Sequence, residues 1–173
     1  MRKDGLRAKI IRKFKATTNS KHDLPVAPNL LNREFIQTQP NRVWVADITY
    51  IWTDECWLYL AIVVDLYSRG IVGWSMPERM TRTLVIDAFT LAVKRRNPPR
   101  GLLHHSGRGS QSASGDFQCL LVKYGAVCSM SCKGNCWDNA QSRKFFRFFE
   151  KRACFSQSLF DSRPSMAKHF LLY

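Results

Sequence analysis

The sequence predicts an α/β fold in which a mixed five-stranded sheet carries helices on its faces, and three observations lead there. Three runs rich in β-branched and aromatic residues, 43–52, 57–68 and 70–76, follow one another with gaps too short to hold a helix. The pattern then switches to helical spacing over 81–96. Beyond that, short apolar runs alternate with further helical segments. At 173 residues the chain has room for one compact domain plus a tail. Its 45% hydrophobic residues are enough to bury a core.

The first strand, VWVADITYIW, is bounded by Pro40-Asn41 and Thr53-Asp54. WLYLAIVVDLYS and GIVGWSM follow across short connections at 53–56 and around Arg69-Gly70, which predicts an antiparallel meander. Pro77 ends that run. Leu84, Ile86, Ala88, Phe89, Leu91, Ala92 and Val93 keep one helical face after a cap at Thr81 or Thr83, and Asn97-Pro98-Pro99 stops the helix. GLLHHS (101–106) reads as a fourth strand. A second helix runs from about Ser114 to Tyr124-Gly125, and AVCSM (126–130) is a fifth strand. Gly134 and Asn135 make 131–137 a loop. A last helix is expected near Asp138, carrying Phe145, Phe146, Phe148 and Phe149 on more than one face, an association-prone patch if left uncovered. This order of elements is the layout of ribonuclease-H-like nucleases and integrases.

Lys and Arg number 27 against 13 Asp and Glu, a net charge of +14. Such a surplus favours a polyanion as partner, with nucleic acid ahead of an acidic membrane surface. The charge sits at the two ends: +7 over residues 1–42, +1 over 43–100 and +6 over 101–173. That suits a folded body whose basic arm and far edge touch phosphates. No run of eighteen apolar residues occurs and the N-terminus lacks the apolar stretch of a secretory signal, so no membrane association and a cytoplasmic location are expected. The six cysteines are then reduced thiols. Cys128, Cys132 and Cys136 lack the paired spacing of a zinc ribbon, and Gly134-Asn135 interrupts any helix that would align them.

An acid inside a strand wants a metal or a hydrogen bond, unless the strand simply turns it to solvent, and Asp47 lies inside the first one. Phosphoryl transfer in such a fold uses carboxylates that hold two divalent ions about 4 Å apart. Here the sequence becomes recognisable. NRVWVADITYIWTDECWLYLAIVVDLYSRGIVGWSM resembles the catalytic core of insertion-sequence transposases of the retroviral-integrase type. LLHHSGRGSQ and CSMSCKGNCWDNAQSRKFF resemble that family's second and third catalytic blocks, in the same order. The match runs from about Pro40 to Phe146, and a weaker similarity extends upstream through RKFKATTNSKHDLPVAPNLL.

The resemblance implies an Asp-Asp-Glu triad that binds Mg²⁺ or Mn²⁺, cleaves a DNA end and joins its 3′-hydroxyl to target DNA. Asp47 matches the first position as both catalytic and metal-binding residue. The second position, after the Ser of the His-Ser block, is Gly107, and the third, four residues after the Asn of the WDNA block, is Arg143. The family's interval of thirty-five residues between those two is kept while the side chains are replaced. Gly107 offers no ligand oxygen. Arg143 repels a cation, by roughly 4 kcal/mol per pair of unit charges at about 4 Å and an effective dielectric near 20, and by about twice that for a divalent ion. Glu150, Asp138, Asp116 and Asp65 are the other acids within reach by sequence; Asp65 lies nearest, and the resemblance gives it no catalytic role. A catalytically defective core is expected.

Arg108, Lys133, Lys144, Arg147 and Lys151 are the candidate phosphate contacts beside the former site, against the plain alternative of a solvated helix face. His104 and His105, close to the second ligand position, read as a structural pair, against the alternative that one of them touches DNA or a metal ion. The expected organisation is a basic arm or linker over 1–40, a core over 41–152, and a divergent C-terminal tail over 153–173 without the basic segment that completes the core in resembling proteins; their end-reading helix-turn-helix is also absent. Three functions stay open: a defective transposase core, a non-catalytic DNA-binding remnant that titrates DNA or interferes with an active transposase multimer, and a chain with no molecular role. DNA, bound with weak selectivity and strong salt dependence, and other transposase subunits are the expected partners.

Overall fold

The structure is a computed structural model, and the residues described are 22–52 and 57–133. Three strands form the predicted meander: β1 (Val43–Trp52), β2 (Trp57–Asp65) and β3 (Ile71–Ser75), with β2 antiparallel to both neighbours. Then come α1 (Arg82–Arg96), β4 (Leu103–Ser106), α2 (Gly115–Lys123) and β5 (Val127–Met130). β4 joins β1 in parallel and β5 joins β4 in parallel, so the sheet is mixed and ordered β3-β2-β1-β4-β5. The helix expected from Asp138, with its phenylalanines, lies outside the described residues.

Element ends follow local chemistry. The second strand stops at Asp65, three residues before the apolar run does. The Asp65 carboxylate is buried and accepts the backbone N–H groups of Ser68 and Asn41, each at 2.9 Å, which turns the chain at 66–68. α1 begins after Thr81 and ends at Asn97, whose left-handed backbone (φ 41°) lets its N–H donate to Val93 O at 2.8 Å. Gly125, at φ 66°, makes the turn from α2 into β5.

Strand alternation divides the sheet into two faces. On one, Trp44, Ala61, Val63 and Val72 pack under α1 and α2 with Leu84, Phe89, Phe117 and Leu121. Phe89 centres this layer, with edge-on ring contacts to Trp44, His104, Phe117 and Tyr124 at centroid distances of 5.2–6.2 Å. Gly73 on β3 admits α1 closely: a Cβ there would strike the Ala88 carbonyl oxygen and lie 2.7 Å from Ala92 Cβ. On the other face, Val43, Val45, Leu60, Ile62, Val64 and Ile71 form a second apolar cluster with Leu31. No described helix is long and apolar enough to cross a membrane.

Residues 22–42 form no helix or strand but are seated on the body. Leu31 is only 2% exposed. Met130 N–H donates to Pro28 O at 3.3 Å, and the Arg69 guanidinium donates to Phe35 O at 3.1 Å.

Candidate active site

The site is set by the pairing of β1 with β4. Val43, Trp44, Val45 and Ala46 lie opposite Leu103, His104, His105 and Ser106. Asp47 and Gly107 are the next residues on the two strands, one step past the last pair. Neighbouring strands run about 4.8 Å apart, so side chains at positions 47 and 107 would be near enough to share a metal ion. Asp47 alternates with Ala46 and so shares the face of Val45 and His105, away from α1 and α2. It is partly buried, and its Oδ1 accepts the Ile48 backbone N–H at 2.9 Å. A cleft of about 20 Å³ lies at this end of the sheet, bordered by Asp47 and Gly107 and lined mainly from the helical side by Ala46, Val85, His104 and Phe117. That volume holds a water molecule or two rather than an organic ligand.

The turn after Gly107 is tied down from several sides. His22 Nδ1 accepts the Leu24 N–H at 3.2 Å, which makes the other ring nitrogen the donor, and Nε2 donates to Arg108 O at 3.0 Å. Gln118 Nε2, on α2, donates to Ser112 O at 2.7 Å. Arg108 is partly buried and Lys133 exposed. Arg143, Lys144, Arg147 and Lys151 lie outside the described residues, as do Glu150 and Asp138.

The two described acids considered as substitute ligands are committed elsewhere. Asp65 pairs with Trp44 whereas Asp47 pairs with Ile62, an offset of three residues or about 10 Å along the strand. Both Asp65 carboxylate oxygens already hold backbone N–H groups. Asp116 is paired with Arg82 at 2.8 Å.

The adjacent histidines meet opposite environments. His104 is 1% exposed between Phe89 and Phe117, and neither ring nitrogen has a hydrogen-bond partner among the described residues. Burial, with a smaller contribution from His105, pushes its pKa down to about 3. His105 Nδ1 lies 2.8 Å from Ser129 Oγ on β5. That hydroxyl also accepts the Leu30 and Leu31 N–H groups at 2.9 and 3.3 Å. With both lone pairs engaged, its proton points at Nδ1, which assigns His105 the Nε2–H tautomer. Sequence reading missed this junction. Its only trace was the alternation of AVCSM, which turns Ser129 to the face opposite Cys128. Burial raises the Cys128 thiol pKa above its ordinary value.

The described donor set does not fit a two-ion site. Asp47 brings a carboxylate and position 107 brings none, and among the described residues no three His, Cys, Asp or Glu side chains converge to hold a metal ion.

The family model for the integrase core domain matches residues 37–136, more than half of the chain. The chain belongs to the integrase core family. Among curated relatives, it is 53% identical over 141 residues to an uncharacterized 31 kDa protein of insertion element IS600 from Shigella sonnei, covering 82% of this chain and 52% of that one. It is 46% identical over 166 residues to the transposase InsF for insertion sequence IS3A of Escherichia coli K12, covering 96% of this chain and 57% of that one. This integrase core chain thus spans about half the length of the curated relatives it matches. Retroviral integrase cores share the fold. The simian T-cell lymphotropic virus intasome superposes with a TM-score of 0.70 at 17% identity, covering 88% of this chain and 53% of that one. The HTLV-2 integrase catalytic core, solved in complex with magnesium, gives 0.59 at 18% identity over 76% of this chain and 84% of that one.

Proposed function

We propose that this chain is an insertion-sequence transposase core, acting in the cytoplasm on DNA, whose metal-dependent end cleavage and strand transfer are lost. The supporting observation is the register of β1 and β4, which sets Asp47 beside Gly107. In the family reaction two divalent ions activate the attacking oxygen and stabilise the leaving one. The register of β1 and β4 supports this reading because the second ligand position then falls to a glycine, which has no side chain to offer a metal. The sequence puts an arginine, Arg143, at the third position, where its charge opposes a cation. Asp47 alone remains of the triad, and a single carboxylate does not hold two Mg²⁺ or Mn²⁺ ions.

The test is a Mn²⁺-supported DNA-end cleavage and strand-transfer assay on the chain beside its Gly107→Asp/Arg143→Glu double variant. The expected result is no product from the chain as it stands and measurable product from the double variant. Activity in the unaltered chain overturns the reading. Failure of both with cooperative thermal unfolding retained removes lost ligands as the sufficient cause.

A second reading is favoured by the net charge of +14: a DNA-binding remnant that titrates DNA or joins and impairs active transposase subunits. Arg108, Lys133, Lys144, Arg147 and Lys151 are the proposed phosphate contacts. Such binding is weakly selective and falls steeply with salt, by about 10³- to 10⁵-fold between 50 and 200 mM for six to ten phosphate contacts. A dissociation constant indifferent to salt excludes it.

A further inference from the structure

The geometry points to a second nucleic-acid surface at the pole opposite Asp47, formed by Lys94, Arg95, Arg96, Arg100 and Lys123 and fitting the phosphate backbone of a duplex. This rests on the DNA reading above but uses none of the cations assigned there.

The two helices locate the pole. α2 starts eight residues after Gly107, and the Arg82–Asp116 pair at 2.8 Å ties the first turn of α1 to the first turn of α2. Both N-termini therefore sit at the Gly107 end of the sheet. Both C-termini point to the other end, about 22 Å away along the fifteen residues of α1 and about 13 Å along the nine of α2. The last turn of α1 carries Lys94, Arg95 and Arg96, and the last turn of α2 carries Lys123. Phe89 and Tyr124, with ring centroids 6.2 Å apart, hold the end of α2 against α1. Arg100 closes the group: its side chain lies over Gly125, where an added Cβ would come within 2.9 Å of its Cγ, and Gly101 N–H donates to Gly125 O at 2.7 Å.

All five side chains are exposed, and no carboxylate among the described residues pairs with them. Asp87 lies about 10 Å back along α1, and Asp116 is engaged by Arg82. The ordinary reason for bases at helix ends is the macrodipole, worth about half a negative charge per C-terminus. Two helix ends thus answer about one unit of positive charge out of five. Lys123 Nζ also lies 5.9 Å from the Tyr124 ring centroid, and the Arg100 stem packs over Gly125, but no carboxylate among the described residues neutralises the remaining charge, which lines one end of a body whose opposite end carries the DNA-processing frame. A chain basic at both poles can hold two duplexes at once.

The experiment measures binding of a mixed-sequence 30-bp duplex across 50–200 mM NaCl for the full chain, the variant K94Q/R95Q/R96Q/R100Q/K123Q, and the catalytic-side variant R108Q/K133Q. A second assay reads capture of a labelled free duplex onto an immobilised one. The five-site variant is expected to flatten the slope of log K against log salt by about 3 to 4 and to lower capture of the second duplex at least fivefold, with cooperative unfolding retained and a melting temperature lowered only by the lost helix-end charges. An unchanged slope in that variant, while R108Q/K133Q shifts it, overturns the second surface and leaves the DNA reading intact. Retained duplex binding with loss of binding to anionic vesicles also overturns it, assigning the patch to a membrane surface. Absence of duplex binding by the unaltered chain overturns both readings.

Discussion

His104 and His105 are neighbours on one strand, yet they belong to different chemistries. His104 faces α1 and α2, where Phe89 and Phe117 enclose it and its ring nitrogens have no partners among the described residues. His105 faces the side of Asp47 and enters the Ser129 junction, which joins β4, β5 and the segment at 30–31. The alternation of a strand, with a period of two, sorts identical side chains between an aromatic layer under the helices and a working face, where polar groups border a second apolar cluster. Both faces supply apolar cohesion, the first through aromatic rings and the second through aliphatic side chains around Leu31. The working face adds the hydrogen-bonded Ser129 junction.

Cutting the aromatic layer gives the largest expected effect. Phe89→Ala removes the ring that Trp44, His104, Phe117 and Tyr124 all touch, and should cost about 3–5 kcal/mol. Urea unfolding monitored by circular dichroism measures it. A loss below about 1 kcal/mol means that the layer repacks and that the contrast between faces is overstated.

Next comes Ser129→Ala on the working face. It strips an acceptor from two backbone N–H groups and a donor from His105, at an expected cost of about 1–3 kcal/mol. The same variant should speed amide exchange at Leu30 and Leu31, whose N–H groups Ser129 holds. Equal destabilisation with exchange at those two amides unchanged would show that the hydroxyl does not anchor the segment.

Much of this division was legible in the sequence. β1 has the bounds its composition suggested, α1 begins after Thr81, and the turn at Tyr124-Gly125 separates α2 from β5. The place of Asp47 inside β1 and of Gly107 directly after β4 follows from strand bounds that composition suggested. What escaped was non-local. Residues 22–42 show little periodicity because they form no helix or strand, and only the fold reveals that Leu31 is a core residue. The Ser129 junction joins positions roughly a hundred residues apart. The early end of β2 depends on whether Asp65 bonds to the turn beyond it, which composition does not encode.

His104→Leu separates the two histidines at smaller cost. At pH 7 it loses edge-on ring contacts of about 0.5–1.5 kcal/mol each, but it also removes a buried group without partners, a relief of about 1–3 kcal/mol. The net change should be within about 1 kcal/mol. The pH dependence changes more. The folded pKa of His104 is lowered from 6.5 to about 3, so the unfolded chain binds the extra proton between those values. Stability from keeping the ring neutral is complete above pH 6.5 and is lost as pH falls toward 3, at a slope of up to about 1.4 kcal/mol per unit. His104→Leu should remove that share of the acid slope. An unaltered slope between pH 6.5 and 4 would show that the ring titrates normally.

The smallest effect belongs to the outer surface of the helical layer, where Arg82 and Asp116 join α1 to α2 at 2.8 Å. More than half of each side chain is exposed, 64% and 58%. Water and salt therefore screen the pair, and exposed ion pairs contribute about 0–1 kcal/mol. The helices are held together by Phe89 against Phe117 beneath them, at a centroid distance of 5.8 Å. Arg82→Gln should accordingly shift stability by no more than about 0.5 kcal/mol, and 0.5 M NaCl should erase what shift there is. A larger, salt-resistant loss would make the ion pair part of the clamp that aligns both helix N-termini beside the Gly107 turn. The working face would then depend on a surface contact as well as on the aromatic layer.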